Sequence, residues 1–88
     1  MKITKNKNLI SENLSEKIFI LNNQTGKYIE LNEVASNLWN SFDEQSTSEM
    51  LIQYLIDEYE IDRSIAINDV NSFLEECDSC MLISCTDT

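Results

Sequence analysis

The chain has 88 residues, of which 42% are hydrophobic and 25% are charged, and its formal net charge is −10. A chain of this length holds one domain with a modest core, which excludes a second domain and a deep catalytic cavity. No apolar stretch approaches the length needed to span a bilayer, and the apolar residues 9–10 after the basic residues 1–8 are far too few for a signal peptide. We therefore predict a soluble globular protein of the cytoplasm, without membrane contact.

Charge is distributed unevenly along the chain. Residues 1–27 contain five of the six basic residues and two acidic residues, whereas residues 28–88 contain Arg63 alone against fourteen acidic residues. The first part thus carries about +3 and the second about −13. A field of this sign repels phosphate backbones, so we predict no nucleic-acid ligand. It attracts a basic peptide or a basic enzyme surface.

Two short apolar runs, at residues 18–21 and 28–31, predict a β-hairpin. The loop between them contains Gly26, the single glycine of a chain without proline. A short hairpin loop needs a residue with positive φ, and Gly26 supplies it. Because an isolated hairpin is only marginally stable, residues 9–12 are expected to add a third strand.

The periodicity becomes helical after the hairpin. Asn32 is predicted to cap a first helix that buries Trp39 and Phe42. A second helix is predicted to start at residues 46–49, Ser-Thr-Ser-Glu, which have the spacing of a capping box. Asp62 is predicted to cap a third helix. The apolar face of that third helix contains Ala66, Val70, Phe73, Leu74 and Cys77.

The predicted order is two or three strands, then three helices, then a short apolar segment at residues 81–83. No internal repeat or low-complexity linker interrupts this order. The fold class that follows is a small α+β domain.

The sequence offers no catalytic set. It contains no histidine, which removes nucleophiles that rely on an imidazole base and zinc sites that use histidine. Neighbouring carboxylates at residues 43–44, 57–58 and 75–76 fall in a predicted turn or on polar helix faces, whereas acid-base catalysis needs a desolvated cleft. One glycine is also too few for a glycine-rich phosphate loop. We therefore predict that the protein is not an enzyme.

Three cysteines, Cys77, Cys80 and Cys85, have the spacing C-x2-C-x4-C. Thiolates at such spacings can converge on a metal ion or an iron-sulfur cluster, with Asp78 or Asp87 as a fourth ligand. The opposing interpretation is that Cys77 packs as a small hydrophobic residue on the third helix and that all three thiols are free in a reducing compartment. We predict no metal, no cofactor and no structural disulfide, and keep a cysteine-based metal or redox protein as an alternative.

Several motifs along the chain resemble one known family, the PqqD-like proteins. In the hairpin and first helix they are Ile-Leu-Asn at 20–22, Thr-Gly-Lys-Tyr at 25–28, Leu-Asn-Glu-Val-Ala at 31–35 and Leu-Trp at 38–39. In the later helices they are Thr-Ser-Glu at 47–49, Glu-Tyr at 58–59 and Asp-Val-Asn-Ser-Phe-Leu at 69–74. The resemblance covers residues 17–83. It departs from the family at residues 78–80, Asp-Ser-Cys, where members often carry a glycine before the terminal apolar pair.

This resemblance implies a winged helix-turn-helix, in which a small antiparallel N-terminal sheet is followed by three helices. On this basis residues 1–8 are a basic N-terminal segment and residues 9–84 are the PqqD-like domain. Such a protein binds the leader segment of a ribosomally synthesised precursor peptide and presents it to a partner enzyme. The implied partner is a leader protease, as in lasso peptide systems, or a radical-type peptide-modifying enzyme.

The resemblance also implies a peptide-binding site, since in that family the leader adds as a strand to the third strand and lies against the third helix. The strand residues here are Lys27, Tyr28, Ile29, Glu30 and Leu31. The helix residues that share one flank by spacing are Ile67, Val70, Asn71 and Leu74. An unpaired strand edge beside an apolar groove is a known basis for peptide binding.

Two alternatives remain open at this point. The first is that Tyr28 and Leu74 are ordinary core residues without a role in binding. The second is a winged-helix nucleic-acid-binding regulator, since the architecture is shared. The acidic charge after residue 27 and the lack of basic residues along the third helix argue against a regulator.

Overall fold

The computed structural model of the protein describes residues 1–86, and the predicted ligand candidate Asp87 lies outside them. Within these residues the chain forms an α+β fold with six strands and three helices. In chain order they are β1 (Lys2–Lys5), β2 (Leu9–Leu14), β3 (Lys17–Asn22), β4 (Tyr28–Leu31), α1 (Glu33–Asn40), β5 (Gln45–Thr47), α2 (Ser48–Tyr59), α3 (Arg63–Ser79) and β6 (Ile83–Thr86).

The predicted hairpin and its third strand form an antiparallel sheet in the order β2-β3-β4. Gly26 has a φ of +77°, and its N–H donates a hydrogen bond of 2.8 Å to the carbonyl of Asn22, which closes the loop as predicted. Ile18 and Ile20 point into the core from the middle strand, and Phe19 between them lies on the other face. The hairpin prediction is therefore confirmed in position.

A second antiparallel sheet, in the order β5-β1-β6, has no counterpart in the sequence analysis. Its central strand comes from the basic residues at the start of the chain, and Ile3 on that strand is fully buried. Ile3 pairs with Ser46 on one side and with Cys85 on the other. Such pairings join distant parts of the chain, and one buried residue among lysines gives no alternating pattern to predict them from.

The three helices begin close to the predicted residues, but the hydrogen bonds at their N-caps agree with the prediction only in part. Asn32 caps α1, and its side-chain oxygen accepts a hydrogen bond of 2.8 Å from the N–H of Ala35. The predicted capping box is wrong, because Thr47 is the N-cap of α2 and accepts a 3.1 Å bond from the N–H of Met50. Ser46 is instead buried in β5. Asp62 occupies the N-cap position of α3 without a side-chain hydrogen bond to the backbone.

One hydrophobic core gathers side chains from both sheets and all three helices. Trp39 and Phe42 belong to it, as predicted, with ring centroids 6.2 Å apart in an edge-to-face arrangement. The apolar face predicted for α3 is buried along its whole length, from Ala66 to Cys77. Among the described helices, none is long and apolar enough to cross a membrane.

Candidate functional site

Strand β4 is an open edge of its sheet, because it pairs with β3 on one side and with no other strand among residues 1–86. The N–H of Asn22 donates a 2.8 Å bond to the carbonyl of Lys27, which fixes the phase of the ladder. Backbone groups alternate in direction along an antiparallel strand. The amides and carbonyls of Tyr28 and Glu30 therefore point outward, away from β3. They give the edge two residues that can pair with an added strand.

The far end of β4 is held against α1 by Ser36, which is buried. The Ser36 hydroxyl accepts a 3.1 Å bond from the N–H of Ile18 and donates a 3.0 Å bond to the carbonyl of Leu31. Ile18 and Leu31 are cross-strand partners, so this hydroxyl bridges the last pair of the ladder. A bridge of this kind fixes where the open edge ends and where α1 begins.

The side chains of the five strand residues predicted for the site divide between core and solvent. Leu31 is fully buried and Ile29 is partly buried against the core. Lys27, Tyr28 and Glu30 are exposed, and Glu30 forms an ion pair of 3.6 Å with Lys17 on the neighbouring strand. Tyr28 is 71% exposed, which excludes the alternative that it is a core residue.

A cleft of about 190 Å³ opens where β4 ends, between the start of α1 and the middle of α3. Its apolar wall contains Ala35, Leu38 and Phe73, all of which are buried. Asp69 and Glu76 also line it and are exposed, so two carboxylates stand beside an apolar wall. The other lining residues are Asn32, Val34 and Ser72.

The four predicted residues of α3 lie on a different side of that helix. Val70 is fully buried and Leu74 is 8% exposed, and both belong to the hydrophobic core. Ile67 is partly buried against the core, and Asn71 is exposed. None of the four lines the cleft. The alternative that Leu74 is a core residue therefore agrees with its burial.

The residues of α3 that do face the cleft, Asp69, Ser72, Phe73 and Glu76, were not singled out as site residues. Their spacings of three and four place them on one face of the helix. One sequence signal could have found them. These residues lie where the apolar face of the helix meets its polar face, and Phe73 is the buried residue at that border. Sequence spacing finds such a border but does not tell which of its two sides meets the sheet.

A family model described as coenzyme PQQ synthesis protein D (PqqD) matches residues 17–83. The chain belongs to the PqqD family. The match begins at the first residue of β3 and ends at the first residue of β6. It therefore contains the open edge of β4 and every residue that lines the cleft beside it, whereas β1 and β2 lie outside it.

Two solved structures share the fold of this PqqD-family chain. TbiB1 in complex with the TbiA(beta) leader peptide has a TM-score of 0.80 at 21% identity, over 97% of this chain and 99% of that one. A lasso peptide synthetase B1 complexed with the leader peptide has a TM-score of 0.74 at 16% identity, over 94% of this chain and 98% of that one. No curated protein sequence matches the chain.

A larger cleft of about 800 Å³ lies elsewhere in this PqqD-family chain, between the loop after β1, the hairpin loop and the end of α3. Two of its three asparagine side chains form hydrogen bonds within the fold. The amide of Asn22 donates a 2.8 Å bond to the carbonyl of Met81, and the Asn6 side chain accepts a 2.7 Å bond from the hydroxyl of Ser84. The first bond joins β3 to the loop before β6, and the second joins the loop after β1 to β6. We therefore interpret this cleft as structural.

Burial disfavours the thiolate form of two of the three cysteines of the PqqD-family chain, Cys77 and Cys85. Cys77 is fully buried, and burial, followed by the charge of Glu76, raises its pKa to about 12. Burial also raises the pKa of Cys85, so neither thiol is activated as a thiolate. Within residues 1–86 no three histidine, cysteine, aspartate or glutamate residues could hold a metal ion together. The prediction that Cys77 packs as a hydrophobic residue is confirmed.

Proposed function

We propose that this protein binds the leader segment of a ribosomally synthesised precursor peptide by strand addition along β4. The observation that carries the proposal is the open edge at Tyr28 and Glu30, whose backbone groups point away from the sheet. An extended peptide gains main-chain hydrogen bonds at such an edge, and neighbouring pockets select its side chains. The cleft between α1 and α3 is such a pocket.

The comparisons support this proposal from two directions. The PqqD family model matches most of the chain, and it contains both the edge strand and the cleft. Two structures that share the fold over nearly their whole length were both solved with a leader peptide bound. An exposed strand edge that stays unpaired risks aggregation, so a binding partner for this edge is also expected on physical grounds.

The bound leader is presented to a partner enzyme, which is a leader protease or a radical-type peptide-modifying enzyme of the cytoplasm. The protein itself acts without catalysis. It has no histidine, and burial raises the pKa of the Cys77 thiol, which therefore stays protonated. An acidic surface gives it a means to attract a basic peptide or enzyme.

A direct test uses the peptide encoded by a short reading frame beside the gene, labelled with fluorescein and titrated with the full chain. Fluorescence anisotropy should report saturable binding of the leader half. Two peptides serve as controls. One has the composition of the leader in scrambled order, and the other is the core half of the precursor. Equal affinity for the leader and its scrambled form would contradict the proposal.

A further inference from the structure

The geometry of the cleft points to a lysine or arginine of the leader as its occupant, and to that basic residue as the main source of leader selectivity. This inference rests on the proposed function, since it concerns the same bound peptide. Main-chain pairing along β4 is tolerant of sequence, because every residue except proline offers the same backbone groups. Selectivity must then come from a side-chain pocket, and the cleft adjoins the end of β4.

The position of the cleft brings it within reach of an added strand. Asn32 lines the cleft and directly follows Leu31, the last residue of β4. A peptide paired with Tyr28 and Glu30 therefore passes the cleft within one or two further residues, at roughly 3.3 Å per residue. The bridge made by the Ser36 hydroxyl holds this end of the strand in place before any peptide arrives.

The size and lining of the cleft favour one long side chain with an apolar stem and a cationic end. A volume of about 190 Å³ is the share of roughly six water molecules, which fits one side chain but not a helix. Ala35, Leu38 and Phe73 offer an apolar wall to the stem. Lysine and arginine bury such stems while their charged ends stay at a polar rim.

Two carboxylates in the cleft select for charge. Asp69 and Glu76 are seven residues apart on α3, so about 10 Å separates them along the helix axis, with Phe73 between them. The ion pairs among residues 1–86 use other carboxylates, Glu30 with Lys17 and Glu49 with Arg63. Asp69 and Glu76 therefore have no cation of their own in the described part of the chain. Both carboxylates are exposed, so an apolar side chain in the cleft leaves them unpaired, whereas the charged end of a basic side chain pairs with one of them.

Selection from a library of random twelve-residue peptides on phage tests this inference, with the full chain immobilised. Selection is repeated with Asp69→Asn/Glu76→Gln and with the matched control Glu58→Gln/Glu75→Gln, which removes the same charge from exposed positions outside the cleft. Peptides selected by the wild type and the control should share one lysine or arginine next to an extended apolar run. The cleft variant should lose that basic position.

The strongest basic peptide is then synthesised with its lysine or arginine, and again with norleucine in its place. Norleucine should weaken binding to the wild type by roughly two- to fivefold, the scale of one exposed ion pair, and should make little difference with the cleft variant. Urea unfolding of each variant shows whether the fold is intact. Peptides that bind the wild type and the cleft variant alike, without a shared basic residue, would overturn this inference and leave strand addition standing. Selection of no peptide at all would contradict the proposed function and this inference with it.

Discussion

The ammonium nitrogen of Lys5 lies 4.3 Å from the ring centroid of Trp39 and donates a 2.8 Å hydrogen bond to the carbonyl of the same residue. It also donates a 2.6 Å bond to the carbonyl of Phe42 and lies 4.4 Å from that ring. Helix α1 has no basic residue in its last turn. Lys5 therefore brings a cation from β1 to the carboxyl end of α1, where the helix dipole favours one.

Replacement of Lys5 by methionine should lower the free energy of unfolding by about 2 kcal/mol, because two charged hydrogen bonds and two cation-π contacts are lost. Part of that loss is offset, since burial lowers the pKa of Lys5 and so disfavours its charged form, against the opposing charge of Asp43. Urea unfolding provides the measurement. Lys7→Met, at an exposed position, should change stability by less than about 0.5 kcal/mol. A Lys5→Met variant as stable as Lys7→Met would show that the contacts contribute nothing.

The buried thiol of Cys77 predicts a pH dependence of stability. Its pKa is raised from 9.0 to about 12 in the fold, so between these values the unfolded chain loses a proton that the folded chain keeps. The stabilisation is complete below about pH 9 and falls by up to about 1.4 kcal/mol per pH unit above it. Cys77→Ala should remove this component, so the difference between the two unfolding profiles isolates it from tyrosine and lysine titration. Parallel profiles from pH 8 to pH 11 would contradict the assignment.

Leu74→Ala should act on stability rather than on peptide binding. Its side chain is in the core and does not line the cleft, so truncation should cost about 3 kcal/mol through a cavity. The affinity of the folded fraction for a leader peptide should remain that of the wild type. Ser72→Ala, in the cleft, serves as the comparison with little expected loss of stability. If Leu74→Ala lowers the affinity for the leader at a temperature where the variant is fully folded, then Leu74 contributes to the binding surface and this prediction is wrong.

Proline substitution tests the open edge itself. Glu30→Pro removes an N–H that points outward, so it should weaken leader binding at least about tenfold while the ladder to β3 keeps its bonds. Glu30→Ala removes the same side chain but keeps the amide and should bind nearly as well as the wild type. Ile29→Pro breaks an inward bond and should destabilise the fold more than Glu30→Pro does, as measured by urea unfolding. Equal binding by Glu30→Pro and Glu30→Ala would argue against main-chain pairing.

Sequence patterns predicted the parts of this fold that depend on neighbouring residues. The hairpin around Gly26 and the cap at Asn32 are local, because turn geometry and a cap hydrogen bond involve residues a few positions apart. The predicted capping box was placed one residue too early, because Ser46 belongs to a strand in which it pairs with Ile3. That pairing joins residues more than forty positions apart, and local propensity cannot anticipate it.

The candidate site shows the same division between local and distant information. Strand β4 and its outward residues follow from the hairpin, and the structure places four of the five predicted strand residues in β4, with Lys27 directly before it. The helix half depends on how α3 is rotated about its axis against the sheets. Apolar spacing marks a broad buried face from Ala66 to Cys77, but only tertiary packing shows that Asp69 and Glu76, at its polar border, face the cleft beside β4.

Amide chemical-shift mapping of the full chain with its leader peptide tests the central claim most directly. Strand addition predicts perturbations at Tyr28 and Glu30 and along the cleft at Val34 and residues 69–76, together with slower amide hydrogen exchange at the two outward N–H groups of β4. A scrambled leader should leave the spectrum unchanged. Perturbations confined to α2, or exchange at Tyr28 and Glu30 that stays as fast as in the free protein, would contradict strand addition at this edge.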